Sequence, residues 1–303
     1  MANNKPVLLI LGGCGFLGES LSRAADDAWE VWRAGPAADG AGSISLDVRD
    51  RESVRRAFSA ARPSLVAHLA AISDIDRCQR EPRLAWEVNA GGTQNVVDEC
   101  VRTGARLVFS SSSAVFDGLK HGYAEDDRPN PLSVYGQTKL EGERLVAARL
   151  PSAIVLRMSL VLGVSRRRDT NSTLSRWVAA WRTGTAVAAC ANEYRNPVDS
   201  GTLARVILEL GMNPGAAGIY HAGASNSLSR YEIARLAAEA LGYSSSLVIR
   251  QDDPPPARAP RGLDHFLLTE HLRKASKAVF GDTQEVIRRS LVELTAGTLR
   301  TRI

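Results

Sequence analysis

The sequence predicts an α/β fold: a Rossmann-like, doubly wound parallel sheet with a smaller C-terminal substrate-binding lobe. Three observations predict it. Apolar runs of strand length alternate with helical patterns through the first half of the chain, which is the order of a parallel sheet with helical crossovers. A glycine-rich turn follows the first apolar run. The alternation fades after Gly163, so the later residues are expected to build a second lobe.

The first strand and helix enclose the glycine-rich turn. Residues 7–11 read VLLIL, a continuous apolar run that is typical of a strand buried on both faces. The next residues contain three glycines at three-residue spacing: Gly12, Gly15 and Gly18. A helical apolar pattern follows, and the free amides at a helix N-terminus favour a phosphate group. The motif therefore predicts dinucleotide binding, with a simple packing turn as the alternative.

The elements that follow continue the alternation. EVWRA and SISLDV are strand-like, and RDRESVRRAFSAA is helical. SLVAHLAA is then a buried strand, PRLAWEVNAGGTQNVVDECVRTG a long helix, and RLVFSSSSAVF a strand that enters a serine-rich loop. NPLSVYGQTKLEGERLVAAR is helical and AIVLRMSLVLG is strand-like. These segments predict a nucleotide-binding domain over residues 1–163.

The later residues are predicted to divide between the two domains. Returns to the nucleotide-binding domain are expected near 196–212 and 228–242. The substrate-binding lobe is expected to contain 164–195, 213–227 and 243–303. Ligand sites form in the cleft of such folds, outside the carboxyl ends of the strands.

Composition and charge exclude several classes of function. The 303-residue chain has a net charge of +5, but its arginines are dispersed among acidic residues, so we expect no nucleic-acid partner. No apolar stretch is long enough for a membrane span, and the first strand begins almost at once, which predicts a cytoplasmic protein. The four cysteines lie far apart, so we expect neither disulfides nor a metal site.

A tyrosine and a lysine form the sequence's clearest chemical pair. Tyr135 and Lys139 are four residues apart in SVYGQTKLEGE, and such positions share one face of a helix. A nearby ammonium stabilises a phenolate and lowers the tyrosine pKa, so the pair could protonate an alkoxide formed from a ketone. The serines of residues 110–113 end a buried strand, where catalytic groups collect in these sheets.

These segments resemble the extended short-chain dehydrogenase/reductase superfamily, and within it the dTDP-4-dehydrorhamnose reductase family. LVFSSSSAVFDG and EDDRPNPLSVYGQTKLEGE are similar to that family's STDYVFDG and EDDPPNPxNVYGxTKLxGE. GIYHAGAS and AIVLRMSLVLG are similar to its GIYHxxGS and xxIVRTSWVYG. The resemblance implies reduction of the 4-keto group of a nucleotide-linked deoxysugar, and a homodimer is possible.

The resemblance also implies the roles of individual residues. Ser112, three residues before Val115, would polarise the carbonyl, Tyr135 would donate the proton, and Lys139 would lower the tyrosine pKa and hold the nicotinamide ribose. The cofactor would contact Gly12, Gly15, Phe16, Leu17, Gly18, Arg33, Asp47, Val48, Ala70, Ala71, Asn89, Tyr135 and Lys139. Within that set, Asp47 and Val48 would border the adenine, and Asn89 would support the site.

The second strand suggests which cofactor is used. A carboxylate at its end binds the ribose hydroxyls of NAD in related folds. Family spacing puts that position near Gly35, where no acid occurs, whereas Arg33 is close by. Because an arginine can pair with a 2′-phosphate, the sequence predicts NADPH as the preferred cofactor, with NADH possible.

Departures from the family pattern leave other functions open. Ser112, Ser113 and Ala114 stand where the family has Thr-Asp-Tyr. A nucleotide-sugar epimerase would share the same triad. A non-catalytic regulatory subunit, like that of methionine adenosyltransferase, would share the fold and the dinucleotide site. The run Arg166-Arg167-Arg168 could hold a substrate diphosphate, or it could form a solvated loop.

Overall fold

The computed structural model describes most of the chain. The described residues are 5–25, 28–36, 40–165, 171–252 and 258–298, and side chains are described as far as residue 292. Residues 166–168, the arginine run named above, lie outside these ranges.

Strands occur in both halves of the chain. They are β1 (Val7–Leu11), β2 (Glu30–Gly35), β3 (Ser43–Ser45), β4 (Leu65–His68), β5 (Arg106–Ser110), β6 (Ile154–Met158), β7 (Leu160–Leu162), β8 (Val187–Cys190), β9 (Tyr194–Arg195), β10 (Pro197–Asp199), β11 (Gly218–Ala222), β12 (Leu228–Ser229), β13 (Val248–Gln251) and β14 (Asp264–His265).

Helices connect these strands. They are α1 (Phe16–Ala25), α2 (Arg51–Ala61), α3 (Ile75–Arg80), α4 (Pro82–Trp86), α5 (Gly92–Thr103), α6 (Val134–Arg149), α7 (Thr173–Arg182), α8 (Ser200–Met212), α9 (Arg230–Ala240), α10 (Glu270–Ala275) and α11 (Thr283–Thr298). No helix in the described ranges is both long and apolar enough to cross a bilayer.

A seven-stranded parallel sheet forms the larger domain, in the order β11-β6-β5-β4-β1-β2-β3. The interior strand β1 sends alternate side chains to opposite faces, since successive residues of a strand point to opposite sides. Leu8 and Ile10 pack in one apolar core, and Leu9 and Leu11 pack in the other. This sheet confirms the predicted Rossmann-like α/β class.

The direction in which successive strands are added to the sheet reverses at β1. The chain proceeds from β1 to β2 and β3 on one side, then crosses back to β4 and β5 on the other. A crevice forms outside the carboxyl ends of the strands at such a switch point. The fold thereby positions a site at the ends of β1, β4 and β5.

The structure divides the later residues differently from the sequence prediction in three places. One of them is helix α10, which is expected in the lobe but packs in the core of the large sheet through Leu272. Residues 218–222, assigned to the lobe, form β11 at the edge of the large sheet, because they pair in parallel with β6. Helix α9, expected as a return to the nucleotide-binding domain, instead belongs to the apolar core of the second lobe, which contains Ile233 and Ala237 together with Trp177 and Trp181. Helix α8, by contrast, contributes to the core of the large sheet.

Candidate active site

A cleft of about 1000 Å³ opens at the carboxyl ends of the strands, between the large sheet and the second lobe. Most residues that the sequence singles out line it. They are Gly12, Gly15, Phe16, Leu17, Gly18, Asp47, Val48, Ala70, Ala71, Ser112, Tyr135 and Lys139. Two others, Arg33 and Asn89, are not among the described residues of its wall.

The glycines of this turn differ in how strictly the fold requires a residue without a side chain. Gly12 has φ +83°, and a Cβ there would lie 2.8 Å from the backbone nitrogen of Ala70. A Cβ on Gly18 would overlap the carbonyl oxygen of Gly12. Both glycines are therefore required by the fold itself.

Gly15 is the exception in this turn. It is exposed on the cleft, and the nearest atom to a Cβ there would be the Gly12 oxygen at 3.2 Å. Its backbone is outside the left-handed region, so the fold requires a glycine here less strictly than at Gly12 or Gly18. The next residue begins α1, and a helix leaves its first amides without intrahelical partners. A phosphate approaching these amides would need the space that a side chain on Gly15 would fill.

Arg33 packs against Gly13 of the glycine turn but is not among the described residues of the cleft wall. Its Nη2 donates a hydrogen bond to Ser43 Oγ at 3.1 Å, on the neighbouring strand β3. The expectation that Arg33 meets a cofactor phosphate therefore stays a prediction, and in the structure the side chain bonds to Ser43 instead. The guanidinium that does line the cleft near this end is Arg49.

Arg49 is held by Asp47 at the same end of the cleft. Its Nη2 lies 2.6 Å from Asp47 Oδ2, and its Nε lies 3.1 Å from both carboxylate oxygens. These hydrogen bonds lower the pKa of Asp47 and keep it ionised. Nearby, Asn95 Nδ2 donates to the Val48 carbonyl at 2.9 Å and fixes the backbone that borders the cleft.

Ser112 and Tyr135 meet because a helix begins against a serine turn. Ser112 follows β5, and its Oγ accepts a hydrogen bond from the Ala114 amide at 3.1 Å. Tyr135 lies in the first turn of α6, which Ser133 caps. Gly136 faces the Ala114 carbonyl so closely that a side chain would not fit between them. Close packing at Gly136 thus brings the two candidate catalytic groups together.

The environment of Tyr135 differs from the sequence expectation. Burial raises the pKa of Tyr135 to about 12, and the hydrogen bond with Ser112 is the interaction that opposes this rise. The sequence interpretation assigned the lowering of this pKa to Lys139. In the structure, desolvation is the larger effect, so Tyr135 remains a protonated phenol at neutral pH.

Lys139 is buried one turn further along α6. Its side chain is 2% exposed, and its Nζ lies 4.4 Å from the centre of the Phe109 ring. Burial lowers the pKa of Lys139 to about 8, and the negative charge of Glu143 opposes that shift. Lys139 is therefore cationic at neutral pH and becomes neutral in mildly alkaline solution.

Glu143 belongs to a buried polar network behind Lys139. Arg157 forms a double hydrogen bond with it, from Nε to Oε1 at 2.9 Å and from Nη2 to Oε2 at 2.7 Å. The Ser111 hydroxyl also donates to Glu143. These partners satisfy a carboxylate that would otherwise be costly to bury.

Asn89 connects α6 to the loop after β4. Its Oδ1 accepts from the Ile72 amide at 2.8 Å, and its Nδ2 donates to Thr138 Oγ1 at 3.0 Å. Thr138 Oγ1 in turn donates to the Tyr135 carbonyl at 2.8 Å. Asn89 thus holds the first turn of α6 in place from behind the cleft.

Sequence reasoning missed the arginines on the lobe side of the cleft. They are Arg176, Arg195, Arg230, Arg258 and Arg261. They come from segments far apart in the chain, in a sequence rich in dispersed arginine, so no local spacing distinguishes them. Only the tertiary fold gathers them on one wall.

Glu193 binds three of these arginines. Its carboxylate is fully buried and lies 2.8 Å from Arg258, 3.7 Å from Arg195 and 3.8 Å from Arg230. Although burial raises it, the pKa of Glu193 is lowered overall by the three guanidinium groups. This wall of the cleft is positively charged and suited to an anion. Among the described residues, no cluster of three or more His, Cys, Asp or Glu side chains could hold a metal ion.

Comparisons with known proteins agree with the fold and the motifs. The model of the RmlD substrate binding domain matches residues 6–296. The dTDP-4-dehydrorhamnose reductase of Mycolicibacterium smegmatis is 29% identical over 262 residues, which cover 84% of this chain and 78% of that protein. Methionine adenosyltransferase 2 subunit beta of Xenopus laevis is also 29% identical, over 258 residues that cover 84% of this chain and 77% of that subunit.

A solved structure shows the same fold over nearly the whole chain. The dTDP-4-dehydrorhamnose reductase of Bacillus anthracis, crystallised in complex with NADP, superposes with a TM-score of 0.86. The alignment covers 95% of this chain and 99% of that one, at 23% identity.

Proposed function

This chain belongs to the RmlD substrate binding domain family, and from that membership we propose that it is an NAD(P)-dependent oxidoreductase. Its proposed reaction is reduction of the 4-keto group of a nucleotide-linked sugar, with NADPH as the preferred reductant. The observation that carries the proposal is the cleft itself. One cavity unites a glycine turn open to a phosphate, the Ser112–Tyr135–Lys139 group and a wall of arginines.

The cleft fits a nicotinamide dinucleotide at its glycine end. Gly15 lies directly before the N-terminus of α1, and because it has no side chain the space beside it in the cleft is open to a ligand. Gly12, Gly18 and Ala70 would support the pyrophosphate, and Asp47 and Val48 would border the adenine. When bound, the reduced nicotinamide supplies a hydride.

The triad supplies the proton and the polarisation. Tyr135 keeps its proton at neutral pH, since burial raises its pKa to about 12. An alkoxide is a far stronger base than a phenolate, so this phenol can still protonate it. The Ser112 Oγ accepts from the Ala114 amide, and its one O–H group is the donor for the substrate oxygen. Lys139 is cationic at neutral pH and stabilises the phenolate that remains.

The arginine wall supports a nucleotide-linked substrate. Arg176, Arg230 and Arg258 line the lobe side of the cleft. Arg195, Arg230 and Arg258 share the single carboxylate of Glu193, so most of the charge of this wall is not neutralised. Guanidinium groups bind phosphate oxygens in a bidentate manner. A substrate with a diphosphate would therefore place its sugar toward Ser112.

The proposed reaction is tested by a turnover screen. We expect the purified chain to oxidise NADPH when a nucleotide-linked 4-keto sugar is added, and not with the free sugar. Isolation of a product with the carbonyl reduced at C4 completes the test. Dinucleotide binding without turnover of any nucleotide-linked 4-keto sugar would contradict the proposal.

A regulatory subunit is a second candidate. The 29% identity to methionine adenosyltransferase 2 subunit beta equals that to the reductase, so overall similarity does not separate the two roles. A regulatory role predicts tight dinucleotide binding, no keto reduction, and a change in the activity of a methionine adenosyltransferase when the chain is added. An epimerase would instead interconvert two nucleotide sugars without net consumption of NADPH.

Cofactor selection is predicted to depend on Arg49 instead of Arg33. No carboxylate is present at Gly35 or Pro36 to repel a 2′-phosphate, and Arg49 is the guanidinium on this part of the cleft wall. Arg49→Ala is expected to weaken NADPH binding by about tenfold, the low end for a charge-assisted contact, with NADH affected less. Fluorescence titration with both cofactors measures this.

Arg33→Ala is the matched control for that titration. Because Arg33 donates to Ser43, its loss is expected to leave the ratio of NADPH to NADH affinity unchanged. A larger loss of NADPH affinity in Arg33→Ala than in Arg49→Ala would reverse the assignment.

The rate of keto reduction is predicted to fall in alkaline solution. The pKa of Lys139 is lowered to about 8, so its ammonium is present below that pH and is lost above it, whereas the Tyr135 phenol stays protonated. We expect kcat to be level near neutrality and to approach a tenfold decrease per pH unit well above pH 8, roughly as a single ionisation requires. Steady-state kinetics under NADPH saturation gives this profile.

Lys139→Arg tests the origin of the pH dependence. A guanidinium stays charged over the whole range, so the variant is expected to be slower but to lack the alkaline decrease. A wild-type kcat that stays level to about pH 10 would exclude Lys139 as the group that titrates.

A further inference from the structure

A small side pocket opens from the main cleft beside Ser112. Its volume is about 50 Å³, and it shares Ile75, Ser112, Ser159, Arg195 and Arg261 with the cleft wall. A cavity needs about 10–15 Å³ to hold one water molecule, so the pocket has room for roughly three or four heavy atoms. It therefore suits a single substituent of a substrate whose reacting carbon lies at Ser112.

The space exists because two positions carry small side chains. Ser113 and Ala114 line the pocket, and they stand where the resembling family pattern has Asp and Tyr. The Ser113 hydroxyl lies 3.0 Å from Nδ1 of His265, so it is held against the pocket wall. A phenol ring at position 114 would occupy much of the volume that Ala114 leaves open.

Arg261 gives the pocket a positive charge. Its Nε donates to the Ala259 carbonyl at 3.2 Å, and its Nη2 pairs with Asp76. Among the described residues, Nη1 of Arg261 has no hydrogen-bond partner. Asp76 is itself bound by the Ala259 amide at 2.8 Å, so this carboxylate holds the guanidinium in position at the pocket.

Arg195 adds a second buried guanidinium. Backbone carbonyls hold it, with Nη1 2.7 Å from the oxygen of Tyr194 and 3.0 Å from that of Leu263. Burial lowers the pKa of Arg195 to about 10, Glu193 opposes this, and the charges of Arg230 and Arg261 lower it further. Asp76 and Glu193 offset part of this charge, but neither carboxylate is among the described residues of the pocket wall, so the two guanidinium groups that do line it favour an anionic occupant.

We propose that this pocket binds a carboxylate on the sugar ring, at the carbon next to the keto carbon, so that the substrate is a nucleotide-linked uronic acid. The proposal rests on the proposed 4-ketoreductase function, which sets the keto carbon at Ser112 and Tyr135. The neighbouring ring carbon then presents its exocyclic group to the pocket. A carboxylate has the three heavy atoms that fit, and it pairs with guanidinium where a methyl or hydroxymethyl group cannot.

The reverse reaction provides matched probes. UDP-glucuronic acid and UDP-glucose differ only in a carboxylate or a hydroxymethyl group at this carbon. Oxidation of the C4 alcohol to a ketone reduces NADP⁺ to NADPH and releases one proton. We expect NADP⁺-saturated protein to bind UDP-glucuronic acid about tenfold or more tightly than UDP-glucose, as a charge-assisted contact implies, and to show the same preference in the rate of NADPH formation.

Substitutions in the pocket should change that preference selectively. Arg261→Gln is expected to reduce the ratio of the two affinities toward one, whereas Arg261→Lys should retain part of it because the charge remains. Ala114→Tyr should reduce the ratio by filling the pocket. Retained NADPH affinity in each variant serves as the test of correct folding.

The outcomes separate this inference from the proposed function. Equal affinity for the two nucleotides, no binding of either, or an unchanged ratio in Arg261→Gln would overturn the uronic acid assignment. If NADPH still reduces a neutral nucleotide-linked 4-keto sugar, the reductase function stands without it. If no nucleotide-linked 4-keto sugar is reduced, the function itself fails.

Discussion

Replacement of Tyr135 by Phe is expected to lower kcat for keto reduction at least about a hundredfold, the low end for loss of a general acid. The phenol is the group in the cleft that stays protonated and can reach a substrate oxygen held by Ser112. Phe keeps the ring and its packing in the first turn of α6, so cofactor affinity is expected to change little. Single-turnover kinetics with saturating NADPH measures the chemical step.

Tyr194→Phe is the control for this substitution. Tyr194 also carries a phenol, but its side chain is partly exposed and is not among the described residues of the cleft wall. The control is expected to react at the wild-type rate. Turnover of Tyr135→Phe within a fewfold of the wild type would show that another group donates the proton.

The sequence predicts those parts of the site that are local in the chain. The glycine turn lies between one strand and one helix, and Tyr135 and Lys139 are one helical turn apart. Spacing alone therefore fixes their relative geometry. The sheet is predictable for a similar reason, because a continuous apolar run such as that of residues 7–11 requires cover on both faces.

The rest of the site depends on contacts between distant segments. Glu193 is surrounded by Arg195, Arg230 and Arg258 only after β9, α9 and a later loop have packed together. The spacing of these arginines in the sequence does not predict the cluster. The side pocket also needs tertiary structure, since it lies between the turn after β5 and a loop more than a hundred residues later. Arg33 is the opposite case: its position in the sequence suggests a cofactor contact, whereas in the structure its side chain bonds to Ser43 on the neighbouring strand.

The effect of desolvation on the pKa values of Tyr135 and Lys139 could not be predicted from the sequence either. The pattern of Tyr135 and Lys139 predicts that the lysine lowers the tyrosine pKa, whereas burial shifts both groups toward their neutral forms. Burial depends on how α6 packs against β5 and the serine turn, which no residue spacing states. Burial lowers the pKa of Lys139 to about 8 and raises that of Tyr135 to about 12, so Lys139 is the member of the pair that titrates near pH 8.

Gly15→Val is expected to abolish dinucleotide binding while leaving the chain folded. A branched side chain at this position would extend into the cleft, where the amides before α1 face the expected pyrophosphate. A Cβ here would lie 3.2 Å from the Gly12 carbonyl oxygen, slightly closer than ordinary van der Waals contact, so we expect a modest loss of stability that does not unfold the chain. Equilibrium titration with NADPH, together with a thermal unfolding curve, measures the two effects separately.

Substitution of two other glycines distinguishes a loss of dinucleotide binding from a loss of stability. Gly201→Ala lies at the start of α8, where a Cβ meets nothing nearer than Asp199 Oδ1 at 3.5 Å, so both binding and stability should persist. Gly18→Ala should destabilise the fold, because its Cβ would overlap the Gly12 carbonyl oxygen. Loss of binding with only a modest loss of stability is thus expected for Gly15 alone among the three. A folded Gly15→Val protein that binds NADPH with wild-type affinity would mean that the turn serves packing and that the dinucleotide lies elsewhere.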